Sequence, residues 1–252
     1  MTSTIIPGAE AFSHVGTGEA GALVLHGFTG NPGSMRGLAN ACAAAGLHVE
    51  MPRLAGHGTV ITDMVPTRWA DWTADVEAAY ATLARRASKI VVMGLSMGGS
   101  LTLWTATRHP EVKGIVCINP ATRPQPTEVI DMLTGMVEAG TETMDGIGSD
   151  IADPNSTESA YPGTPLAALL SFQVDGLVPL VSQYGSCTMP LLLFTSPQDH
   201  VVNPEDSDAL AAAYGGTVER VTLERSYHVA TQDYDKEVIF SKSVEFARRV
   251  TA

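Results

Sequence analysis

Two rhythms of apolar and polar positions alternate along this chain. Short, nearly unbroken apolar runs recur at Ala22–His26, Ile90–Met93, Gly114–Ile118 and Leu191–Phe194, and the more mixed segments Leu47–Met51 and Val218–Leu223 also read as short strands. Runs of this length without alternation predict strands buried on both faces. Helical patterns lie between them. Ser34–Ala45 is alanine-rich and stops at Gly46, and Arg68–Arg86 places Trp69, Trp72, Val76, Tyr80 and Leu83 on one face. Gly99–Arg108, Glu205–Tyr214 and Lys236–Val250 complete the series. Strands alternating with helices predict a mostly parallel sheet with helices on both faces, an α/β architecture.

One stretch breaks the rhythm. Asn119 and Leu191 are separated by far more chain than the dozen or so residues a crossover requires. The excess carries prolines, glycines and apolar side chains, among them Met132, Leu133, Met136, Met144, Ile147, Leu166, Leu169, Leu170 and Leu177. Residues 121–188 are therefore expected to form a cap inserted over the carboxyl edge of the sheet, within a single domain spanning 1–252. A surface elaboration with its own small core is the alternative.

The run Ile90–Met93 leads directly into Gly94-Leu95-Ser96-Met97-Gly98, and a helical pattern follows. A serine flanked by glycines between a strand and a helix is the arrangement of a nucleophile elbow. With 24 glycines in the chain, such a pattern alone could be an ordinary strand-to-helix turn; the flanking strand and helix favour the elbow. A serine hydroxyl needs a base to take its proton and a third group to orient that base. His228, just after the last strand, is the candidate base, whereas His200 reads as a loop residue and His109 as a cation at a helix end. Asp199 directly follows the strand Leu191–Phe194 and is the candidate acid. Asp175 lies in the expected cap, and Glu205, Asp206 and Asp208 sit at a helix start, where carboxylates serve as caps. Two backbone amides should face the developing oxyanion: Met97, after the nucleophile, and Phe28, in the loop His26-Gly27-Phe28-Thr29-Gly30. His57 reads as a loop histidine bonded to backbone, and Trp69 and Trp72 as helix core.

Composition narrows the partners. The chain has 252 residues, 44% of them hydrophobic, and a formal net charge of −12. An acidic surface argues against nucleic acid and weakens adsorption to anionic membranes. No apolar stretch reaches the ~20 residues of a membrane span, so no stable membrane anchor is expected. Cys42, Cys117 and Cys187 are scattered without metal-ligand spacing and are expected to be reduced and buried; no metal site is indicated. The opening MTSTIIPGAEAF lacks a basic region followed by an apolar run, and a cytoplasmic location is the expectation.

HGFTG at 26–30, PRLAGHG at 52–58, GLSMGG at 94–99, DHVV at 199–202 and SYHVAT at 226–231 together resemble the bacterial carboxylesterase and monoacylglycerol lipase group of α/β-hydrolases. Two segments of the insertion, Ile147-Gly148-Ser149-Asp150 and Ala160–Pro165, extend the likeness. The resemblance implies the α/β-hydrolase fold and an acyl-enzyme mechanism on short esters or monoacylglycerols, with no cofactor. It carries Ser96, Asp199 and His228 as catalytic residues and Phe28 and Met97 as the oxyanion hole. Within the insertion, Glu158 is the candidate for hydrogen-bonding glycerol hydroxyls, a solvated carboxylate being its plainer reading, and Ile147 is the second candidate substrate contact. Thioesterase, lactonase or carbon–carbon bond hydrolase chemistry, or ligand binding without catalysis, are the competing functions.

Overall fold

A computed structural model describes residues 3–146 and 148–252. Its main sheet comprises β1 (Phe12–His14), β2 (Ala20–Leu25), β3 (His48–Met51), β4 (Lys89–Leu95) and β5 (Gly114–Ile118), with β8 and β9 further along the chain. Between β5 and β8 a small antiparallel hairpin pairs β6 (Thr143–Asp145) with β7 (Gly163–Pro165). The last two strands of the main sheet are β8 (Leu191–Thr195) and β9 (Val218–Thr222). Among the described residues the sheet order is β1-β3-β2-β4-β5-β8-β9, parallel throughout except for the β1–β3 pair.

The helices are α1 (Arg36–Ala44), α2 (Ile61–Met64), α3 (Trp69–Ala84), α4 (Met97–Arg108), α5 (Thr127–Glu138), α6 (Leu166–Ser171), α7 (Val178–Val181), α8 (Glu205–Ala213) and α9 (Lys236–Thr251). Strand side chains alternate between two apolar layers. Leu23, Ile90, Val92, Ile115 and Leu193 pack with Trp72, Val76 and Leu83 of α3 and Leu101 of α4. Val24, Val91, Met93, Val116 and Phe194 pack on the other face with Leu38 and Cys42 of α1 and Ile239 and Phe246 of α9. Burial on both faces is the reason these strands are apolar without alternation. All three cysteines are free and buried. Among the described residues no helix is long and apolar enough to cross a membrane.

The stretch between β5 and β8 folds as α5, the hairpin, α6, a wide helical turn over Phe172–Leu177 and α7. Its aromatic residues reach down to the sheet side: Phe172 stacks on Trp69 with ring centroids 5.7 Å apart and on Phe28 at 6.2 Å. The Tyr161 hydroxyl donates to Gly56 O at 2.8 Å and accepts from Thr59 N at 2.9 Å, so the stretch is tied to the loop after β3.

Candidate active site

Ser96 occupies the turn between β4 and α4 with φ 56° and ψ −121°, a left-handed conformation that a non-glycine residue holds only under constraint. The constraint is visible. Ser96 N donates to Ile118 O at 3.0 Å, and Ser96 O accepts from Gly99 N at 2.8 Å. The two flanking glycines are required by proximity: a Cβ on Gly94 would lie 2.0 Å from Gly98 O, and one on Gly98 would lie 2.2 Å from Leu25 O. The hydroxyl thus sits at the N-terminus of α4, where unpaired amides favour negative charge.

Asp199 and His228 come from the loops after β8 and β9 and meet with His228 Nδ1 2.7 Å from Asp199 Oδ2. Both side chains are buried, at 3% exposure for the aspartate and 7% for the histidine. The other carboxylate oxygen, Asp199 Oδ1, accepts from Val201 N and Val202 N, each at 2.8 Å. The Asp199 carboxylate is therefore held by its own loop and presents a single oxygen to the ring. With Nδ1 donating to the carboxylate, Nε2 is the acceptor of the imidazole. The Ser96 hydroxyl makes no hydrogen bond among the described residues, but Ser96 and His228 line the same cavity, of about 800 Å³.

Phe28 lines that cavity as well, and its amide has no backbone partner among the described residues. The Met97 amide is the first of α4 and has no partner within the helix. His26 shapes the Phe28 loop, with Nδ1 against Gly27 O at 3.0 Å and Nε2 accepting from Leu54 N at 3.2 Å. His57 bonds Ala55 O through Nδ1 at 2.9 Å, the backbone bond expected of it, and packs edge-on against His26, Phe28 and Trp72. Burial pushes the His26 ring down to about 3 and the His57 ring down to about 4.

Glu158 lines the same cavity beside Gly30, where a Cβ would approach Glu158 Oε1 to 2.8 Å. Loss of water pushes its carboxyl up to about 6, against a smaller opposing pull from His228. Ile147 lies outside the described residues. The rival acids are engaged elsewhere: Asp175 accepts from Ser171 Oγ, Asp206 pairs with Arg123 and Asp208 with Arg220. His109 stacks on Tyr80 and sits between Glu77 and Glu111, remote in role from the elbow.

Sequence reasoning missed the residues that hold the Asp199 and His228 loops in place. Asn119, at the end of β5 with φ 42°, donates through Nδ2 to His228 O at 2.8 Å and Ser196 Oγ at 3.0 Å, and accepts from Ser196 N at 2.8 Å. Buried Asp233 accepts from Ala152 N, Asp153 N, Tyr227 N and Tyr234 N. For Asn119 the available signal was a polar residue ending an apolar strand on the elbow's edge; Asp233 carried none.

The Hydrolase_4 family model, described as serine aminopeptidase, S33, matches residues 18–235. The chain belongs to this family of α/β-hydrolases. It is an enzyme of the serine hydrolase type. The thermostable monoacylglycerol lipase of Bacillus sp. (strain H-257) is 43% identical over 245 residues, covering 96% of this chain and 95% of that protein. A solved structure from a study of LipS and LipT, two metagenome-derived lipolytic enzymes, superposes with a TM-score of 0.92 at 40% identity, covering 98% of this chain and 100% of the other. The monoacylglycerol lipase of Paleococcus ferrophilus shares the hydrolase fold, with a TM-score of 0.75 at 17% identity over 96% of this chain and 99% of its own. Among the described residues no cluster of three or more histidine, cysteine or acidic side chains is placed to hold a metal.

Proposed function

We propose that this hydrolase cleaves carboxylic esters of single-chain substrates, foremost monoacylglycerols, through an acyl-enzyme. In this reading the chain is one domain whose residues 121–188 cap the site. The observation that carries it is the buried Asp199–His228 pair opening onto the same cavity as the strained Ser96. His228 Nε2 takes the Ser96 proton as Oγ attacks the ester carbonyl, and Asp199 stabilises the imidazolium that forms. The amides of Phe28 and Met97 receive the oxyanion. His228 returns the proton to the leaving alcohol, and a water activated by the same ring releases the fatty acid.

The substrate class follows from the cavity walls. Leu133, Leu169, Phe172 and Leu177 offer an apolar lining for one acyl chain, worth roughly 0.8 kcal/mol per buried methylene. Glu158 stands beside Gly30, in the loop that carries Phe28, to accept hydrogen bonds from glycerol hydroxyls. The 43% identity to a protein named as a monoacylglycerol lipase supports the same choice. The test is a panel of monoacylglycerols, methyl esters of the same acids and triacylglycerol emulsions, with fluorophosphonate labelling of wild type and Ser96→Ala. Labelling of wild type alone and a preference for monoacylglycerols are expected. Faster turnover of triacylglycerols would sink the reading of a capped site for one acyl chain, and an active Ser96→Ala enzyme would sink the mechanism.

A further inference from the structure

Asp150 lies on the inserted stretch, outside the main sheet, yet its carboxylate reaches both loops of the acid–base pair. Asp150 Oδ2 accepts from His228 N at 3.0 Å and from His200 N at 3.1 Å, the amide next to Asp199. Asp150 Oδ1 bonds His200 Nδ1 at 2.8 Å, and the Asp150 carbonyl accepts from Val229 N at 3.0 Å. The side chain is 11% exposed. One carboxylate oxygen thus spans two amides from loops that follow different strands, β8 and β9. Asn119 fastens the same His228 loop through its carbonyls from the sheet side. The base is gripped from two directions, by the carbonyls of Tyr227 and His228 from the sheet side and by the His228 amide from the insertion.

We propose that Asp150 is a positioning residue for catalysis: it sets the separation of the Asp199 and His228 loops, so that the inserted stretch helps assemble the catalytic pair in addition to covering the cavity. This rests on the assignment of Asp199 and His228 as acid and base. The physical reason is the short geometry it protects. The 2.7 Å contact between His228 Nδ1 and Asp199 Oδ2 joins two loops with no covalent tie nearby, and small misplacements of catalytic groups cost far more in rate than in stability. His200, bonded to Asp150 through both its amide and its ring, packs that ring edge-on against Tyr227 at 4.6 Å.

The test compares wild type, Asp150→Ala and Asp150→Asn by steady-state kinetics, fluorophosphonate labelling rate, thermal melting and the downfield proton signal of the His228 Nδ1–H. Asp150→Ala should lower kcat and the labelling rate together, by roughly 10²-fold, with KM within about threefold of wild type. Asp150→Asn keeps one acceptor oxygen and should recover part of the loss. The Nδ1–H signal should weaken or move upfield in Asp150→Ala while the protein remains folded. A folded variant with wild-type kcat, or a loss confined to KM with an unchanged proton signal, overturns the proposal. Failure of both variants to fold overturns it in favour of a purely structural role. A wild type that resists the phosphonate, or an active Ser96→Ala, marks failure of the underlying mechanism instead, whatever Asp150 does.

Discussion

Asp199 divides its two oxygens between jobs: one accepts the amides of Val201 and Val202, the other faces His228. Asp199→Asn can preserve the first set while presenting an NH₂ group or a weaker acceptor to the ring, which destabilises the tautomer the serine needs. Turnover should fall by about 10⁴-fold, whereas Asp208→Asn, whose carboxylate pairs with Arg220 on the surface, should stay within about twofold of wild type. Initial rates on a soluble ester decide this, and comparable losses in the two variants would unseat Asp199. Glu158 makes a different prediction. Burial holds its carboxyl up to about 6, so it is ionised at pH 8 and takes up a proton as pH falls through that value. If the carboxylate recognises glycerol, the preference for a monoacylglycerol over the methyl ester should decline across that window, and the decline should vanish in Glu158→Gln. The sign for stability is the reverse of the usual acidic residue. A folded value raised above the unfolded one favours folding below about 4.5 and loses that contribution as pH rises through about 6. Glu158→Gln should therefore melt higher than wild type at pH 8, and an unchanged melting temperature would argue that the carboxylate is well solvated.

At the scale of elements, the elbow is the most demanding piece of the fold, and it is where local sequence speaks most directly. Gly98 lies against Leu25 O and His26 O, so a methyl group there must displace the backbone of β2 and the loop that carries Phe28. Gly98→Ala should destabilise the protein by several kcal/mol, roughly 3 or more given that backbone, and not a flexible side chain, stands in the way; a thermal melt within two or three degrees of wild type would contradict this. The core strands were legible because burial on both faces leaves them unbroken apolar runs, and Gly114–Ile118 was located to the residue. The helices on the sheet were legible for the same reason, with Trp69, Trp72, Val76, Tyr80 and Leu83 all buried along α3. β1 was not legible. It is an edge strand of Phe12–His14 with no fully buried residue, and only its antiparallel pairing with β3 defines it. The hairpin β6–β7 escaped as well, because β6 is exposed along its whole length and takes its order from its partner. Asp150 and Asn119 act through backbone groups distant in sequence, so the residues around them do not show which loops they join.

For the molecule as a whole, two buried histidines beneath the cavity couple folding to pH. His26 and His57 lie with ring centroids 5.0 Å apart, and both are fully buried. His57 Nε2 has no hydrogen-bond partner among the described residues, and the ring packs edge-on against Phe28 and Trp72. Burial is the main cause that takes His26 down to about 3 and His57 down to about 4, each from an ordinary value of 6.5. Both rings are neutral in the folded chain at pH 5, while the unfolded chain binds protons at both. Stability is therefore fully present above 6.5 and declines as pH falls toward the folded values, at roughly 1.4 kcal/mol per pH unit for each ring well below 6.5. Glu158 acts in the opposite direction over the narrower window between about 6 and 4.5, and offsets only part of this. The measurement is urea unfolding at pH 7.5 and pH 5 for wild type and His57→Phe, a substitution that keeps an aromatic ring among Phe28, Trp72 and His26. The variant gives up the bond to Ala55 O and should be somewhat less stable at pH 7.5. Its further loss on going to pH 5 should be smaller than that of wild type by about 2 kcal/mol, the contribution of one histidine over that interval. Equal losses in the two proteins would mean that the His57 ring is protonated in the folded state, and that the apolar floor beneath the cavity admits water.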